Sequence, residues 1–184
     1  MPLKELQSTV YASLFAALIA CGAYLAIPIP ISPVPIILQN LFVLLAGLLL
    51  GGRWGLASVG IYLLAGAVGL PVFTGGKGGV AHFFGPTGGY LVGFAAAVFV
   101  AGLIAHQSET STRRDVAAVL AGTLCVYAFG VPWLKAVTGM PWEKALLAGM
   151  VPFLIGDGLK AASAVILARA LRPVLQRQML MVSA

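Results

Sequence analysis

Apolar runs of nearly bilayer-spanning length recur along this 184-residue chain, separated by short connections. A helix needs about 20 predominantly apolar residues to cross a hydrocarbon core, and lipid leaves no water to satisfy open backbone. The chain is therefore expected to form one all-α polytopic membrane domain over residues 1–184. Composition agrees: 9% of residues are charged and 60% hydrophobic, with a mean hydropathy of +1.02. An ordinary soluble domain carries about 25% charged residues. The net charge of +6 sits singly at segment ends and forms no stripe suited to nucleic acid, so membrane orientation accounts for it better.

Six transmembrane helices are predicted, over residues 8–27, 36–51, 54–69, 86–106, 116–133 and from 146 or 151 to 171. Pro28, Pro30, Pro33 and Pro35 turn the first connection into an extended link, and Gly52-Arg53 is expected to form the turn between the second and third helices. Ala12, Ala16 and Ala20 recur every four residues on the first helix, a stripe suited either to internal packing or to docking a separate membrane protein. Gln39-Asn40 opens the second helix, where the amides meet either a polar ligand or lipid headgroups. Leu18-Ile19-Ala20-Cys21 is similar to a lipoprotein cleavage site, but the segment also suits a retained spanning helix. Cys21 and Cys125 lie within apolar segments without ligand spacing and are expected to be small buried hydrophobes; His82 and His106 likewise have no metal-binding partners in sequence.

Within the last helix, Pro152-Phe153-Leu154-Ile155-Gly156-Asp157-Gly158-Leu159-Lys160-Ala161-Ala162 places a carboxylate and an ammonium in an apolar run. Three residues apart on a helix, Asp157 and Lys160 share a face and can reach one partner together. Ionisable groups at membrane depth are rare and costly, so the pair is a candidate site; the alternative is a self-neutralising structural pair.

Between Pro71 and Pro86, Gly75-Gly76-Lys77-Gly78-Gly79 is too glycine-rich for a stable helix. Lys77 is followed by Gly78 instead of Ser or Thr and no strand precedes it, so this is no nucleotide-binding loop. With Phe73, Phe83 and Phe84 around it, the segment is expected to fold as a lid over a cavity, or else to stand as an exposed hairpin. Alternate loops carry Lys4, Arg53, Arg113, Arg114, Arg169, Arg172 and Arg177 on one side, against Lys77, Lys135 and Lys144 on the other. Positive charge favours the cytoplasm, which puts both termini inside and opens the Asp157–Lys160 face to the exterior.

Gly85-Pro86-Thr87-Gly88-Gly89-Tyr90-Leu91-Val92-Gly93-Phe94, the preceding paired glycines, and the Gly156-Asp157-Gly158-Leu159-Lys160 core together resemble the BioY family. These are the biotin-uptake S components of energy-coupling-factor (ECF) transporters, and the resemblance covers nearly the whole chain. It implies a prokaryotic inner-membrane protein, not an enzyme and without a cofactor, that captures biotin from outside in a pocket covered by the loop between helices 3 and 4. It further implies a coupling transmembrane subunit and a pair of ABC ATPases as partners, docking on Ala12, Ala16 and Ala20, with transport by toppling of the whole subunit. A ureido ring has two N–H donors and one carbonyl acceptor, which suits a carboxylate beside an ammonium. Asp157 would take the N–H side; Lys160 would hold either the ureido oxygen or the valerate carboxylate. Phe73, Phe83, Phe84 and Tyr90 would supply apolar walls, with Asn40, Lys77 and His82 as further contacts. The rivals are an S component for another vitamin and an intramembrane enzyme using Asp157 and Lys160 as acid and base.

Overall fold

The computed structural model describes residues 3–106 and 111–181. Its helices are α1 (Leu3–Tyr24), α2 (Gln39–Ala67), α3 (Gly88–Ala105), α4 (Thr112–Thr138), α5 (Trp142–Gly149) and α6 (Leu154–Met181). Among the described residues, five helical stretches are long and apolar enough to cross a membrane, the last running from α5 into α6. Residues 107–110, at the start of the polar connection expected before α4, lie outside the described residues. The proline link is pinned at its base by a two-stranded antiparallel pairing of Ala26–Ile27 with Ile36–Ile37.

The second and third expected helices come as one assigned stretch, α2, folded at Gly51. Gly51 has φ 78° and ψ 178°, a backbone state close to glycine-only, so the break falls one residue before the expected turn. The two halves double back on each other. A Cβ built on Gly55 would lie 3.4 Å from the Ala46 carbonyl oxygen, whereas residues nine apart in a straight helix stand roughly 13 Å apart along the axis.

Neighbouring helices pack in chain order, α1 on α2, α2 on α3 and α3 on α4, and α6 closes the bundle against α2 and α4. Large apolar side chains such as Leu14, Leu124, Ile155, Leu159 and Ile166 remain on the outer surface, as a lipid-facing layer requires. The alanine stripe behaves otherwise. Ala12 and Ala16 are 1% and 5% exposed and Ala20 packs at the edge of the core, so the stripe brings α1 close to α2 and is not a free docking face. The outward side of α1 is instead formed by Val10, Ser13, Leu14, Ala17 and Cys21, which corrects the expectation that Cys21 is buried.

One end of the bundle is clamped by a charge pair. Asp115, in the first turn of α4, receives both arms of the Arg172 guanidinium at 2.9 and 3.0 Å, and Arg172 also donates to the Leu48 carbonyl at 3.1 Å. This fork joins α6 to α4 and to the first half of α2, next to His106, whose ring lies against Gly51. Removing one partner strands the other. Asp115→Ala should therefore lower the unfolding free energy of the solubilised protein by about 3 kcal/mol. Thermal unfolding checks this: the midpoint should fall in Asp115→Ala and largely recover in the Asp115→Ala/Arg172→Met double variant.

Candidate functional site

At the other end of α6 the chain leaves a short 3-10 turn, Val151–Phe153, and enters the helix with Asp157 in its first turn. Helix N-termini favour an acidic side chain there. Asp157 is only 5% exposed. Its Oδ1 accepts from Lys160 Nζ at 2.9 Å, its Oδ2 accepts from the Tyr127 hydroxyl of α4, and Asn40 Nδ2 of α2 stands 3.4 Å from both oxygens. Three helices thus converge on one carboxylate.

This cluster forms part of the wall of a narrow pocket with a cavity volume of about 40 Å³. Leu91, Phe94, Val126 and Phe153 supply apolar surface, while Gln39, Thr74, Thr87 and Tyr90 add polar groups. The Tyr90 hydroxyl donates to the Gly149 carbonyl at 2.7 Å, anchoring the end of α5 beside the pocket.

The glycine-rich segment meets the pocket through Thr74 and through His82, which lies in the 3-10 helix Val80–Phe84. His82 Nε2 is 3.2 Å from Thr87 Oγ1, and its ring stacks on Phe73 with centroids 4.9 Å apart and planes 16° from parallel. Phe73 in turn meets Tyr62 and Phe83 edge-on. It sits directly over bare Gly66, where a Cβ would come within 2.0 Å of the ring. Burial lowers the His82 pKa from the ordinary histidine value, with a smaller push in the same direction from the Lys77 cation. Outside this layer an open groove is lined by Pro28, Pro33, Gly75, Lys77 and Pro86, and it shares Pro35, Thr74, His82 and Thr87 with the pocket.

Of the residues singled out from sequence, the structure brings Asp157, Lys160, Asn40, His82 and Tyr90 together around the pocket. It does not bring Phe73, Phe83, Phe84 or Lys77 to the pocket wall. Phe73 and Phe83 form a layer behind His82, Phe84 is 68% exposed, and Lys77 lines the outer groove. Tyr127 lines the pocket without having been chosen from the sequence, and of the two places offered for the Gln39 amide, polar ligand or headgroups, Gln39 takes the pocket wall. Tyr127 carried one usable signal, a hydroxyl within an apolar helix that needs a partner when buried. Among the described residues no group of three or more His, Cys, Asp or Glu side chains is arranged to hold a metal ion.

Comparison with known proteins follows the same outline. The BioY family model matches residues 1–177. The probable biotin transporter BioY of Pyrococcus horikoshii is 44% identical over 160 residues, covering 87% of this chain and 93% of that protein. The biotin transporter BioY of Thermotoga maritima is 41% identical over 167 residues, covering 91% and 96%. A crystal structure of the S-component for biotin from an ECF-type ABC transporter superposes with a TM-score of 0.87 at 34% identity, covering 94% of each chain. By family match, by sequence and by fold, this chain belongs to the BioY family.

Proposed function

We propose that the chain is the biotin-binding membrane subunit, the S component, of an ECF-type ABC transporter. One observation carries the reading: in a BioY-family fold, the pocket sets apolar walls from Val34, Leu91, Phe94, Val126 and Phe153 beside a compact hydrogen-bonding cluster of Asp157, Lys160, Asn40 and Tyr127. That division suits a ligand with a polar ureido ring and an apolar thiophane and alkyl body. It is a binding subunit and not an enzyme. Biotin is cargo, and the energy comes from a coupling transmembrane subunit and its ATPase pair.

The fold at Gly51 supports counting α2 as two crossings and the bundle as six. With six crossings, the distribution of Lys and Arg favours cytoplasmic termini in a prokaryotic inner membrane and an exterior pocket mouth. The segment from Phe73 to Phe84 then acts as the lid, held down by Phe73 on Gly66 and by His82 against Thr87. Captured ligand crosses when the whole subunit topples against its coupling partner. Docking through Ala12, Ala16 and Ala20 is no part of the proposal, because those residues hold α1 to the bundle.

The purified, lipid-reconstituted protein should bind biotin tightly and carry it through purification, with unrelated vitamins failing to compete. Asp157→Asn removes a charge-assisted acceptor, whose loss is worth roughly 1.5–3 kcal/mol. Isothermal titration should therefore register affinity about 10- to 150-fold weaker. Equal affinity for a different vitamin would make the chain an S component for that ligand instead.

The lid should also be acid-sensitive. His82 has a folded pKa below the ordinary value of 6.5, so as pH falls the unfolded chain takes up this proton first. The stability it contributes is complete above about pH 6.5 and is lost as pH drops from there through the folded pKa. His106 is also lowered, by burial first and then by Arg172, and adds to the same loss. His82→Gln should thus reduce, without abolishing, the fall in melting temperature between pH 7.5 and 5.

A further inference from the structure

The least satisfied group in the pocket is not the charged pair. Gln39, the first residue of α2, is 0% exposed and lines the pocket, yet neither Nε2 nor Oε1 has a hydrogen-bond partner. The neighbouring Asn40 Oδ1 is likewise buried without a partner. Nearly all buried polar side-chain atoms are paired, because an unpaired one forfeits its bonds to water without replacement. The Tyr62 hydroxyl behind Gln39 approaches the amide without completing hydrogen-bond geometry. Asp157, in contrast, already accepts from Tyr127 and Lys160 and has Asn40 alongside. The amide of Gln39, a residue of the pocket wall, is left with its carbonyl oxygen and the N–H beside it unpaired.

A primary amide presents its C=O and one N–H along a single edge, and so does each side of a cyclic urea. The two edges are complementary. We infer that Gln39 reads the ureido ring of the ligand, Oε1 accepting from a ring N–H and Nε2 donating to the ring carbonyl. The second ring N–H is left for Asn40 and Asp157. This rests on the biotin reading above and adds to it a specificity-determining residue and a ligand orientation: ring against the start of α2 and α6, valerate toward the lid.

The experiment uses the full chain reconstituted in lipid, with biotin and a biotin methylated on one ureido nitrogen as probes. Gln39→Leu and Gln39→Met keep the volume and remove the hydrogen-bonding edge. The expected result is a ligand-free melting temperature at or above that of wild type, biotin affinity weakened about tenfold or more, and a reduced preference for biotin over the methylated analogue. Two results would overturn the inference while leaving biotin binding in place. One is wild-type biotin affinity in both variants. The other is a lower ligand-free melting temperature with the biotin-induced rise intact, which marks the amide as structural. The unmodified protein supplies a test that needs no variant: equal affinity for biotin and its methylated analogue means that this edge is not read. Wild-type protein that binds no biotin would overturn the function reading and this inference together.

Discussion

A charge carried into an apolar bundle has to be neutralised where it stands, since the desolvation of an unpaired ion costs several kcal/mol. Helix α6 meets that requirement twice, in two different ways. Arg172 reaches across to Asp115, 57 residues away, and in doing so locks α6 to α4 and α2. Asp157 is neutralised from within its own helix by Lys160, three residues on. The first pair exists only when the bundle is assembled; the second can form as soon as α6 does. The two sites lie about 22 Å apart along the helix, so a rigid clamp at one end leaves the other end free to be furnished for a ligand.

Legibility followed the same distinction. Asp157 and Lys160 could be paired from the sequence because three-residue spacing on a helix fixes their proximity, and the cost of charge in lipid says that the pair matters. The spans were legible from apolar length and the break at Gly51 to within one residue, whereas the extension of α4 beyond Trp133 to Thr138 was not. Tyr127 was not legible, because nothing local says that this tyrosine of α4 faces α6. The alanine stripe was legible as a close-contact surface but not as to its partner, since small residues admit any helix, own or foreign. In the glycine-rich segment the aromatics were visible and their depth was not: Phe73 is swallowed by the bundle at Gly66 and Phe84 turned outward, although both lie in one run of the same composition.

That difference in depth gives the glycine-rich segment its structure. Phe73 is fixed by the absence of a side chain at Gly66 and by edge contacts with Tyr62 and Phe83, and it presents its face to His82. His82 is thereby held between a packed aromatic layer and the pocket, while the glycines around it stay at the surface. The segment thus has an aromatic inner plate, Phe73 with His82 and Phe83, beneath glycines nearer the surface. Tyr62 also borders Gln39, so the plate and the pocket wall share one buried aromatic residue.

On the reading proposed above, electrostatics favour the ring end of the ligand beside Lys160. Lys160 Nζ is already 2.9 Å from Asp157 Oδ1, so a carboxylate placed against it would put two negative charges on one ammonium in a half-dry site. Like charges forced together in this way disfavour ionisation of one of them. A neutral ureido carbonyl incurs no such repulsion, and it can accept from Lys160 without breaking the bond to Asp157, because an ammonium has three donors. The same reading puts the ligand carboxylate at the far side of His82, where the open groove carries Lys77 and water can reach. Ring inward and carboxylate outward would also leave the charged group as the last part to be desolvated, so that the apolar chain is covered before any ion loses its hydration.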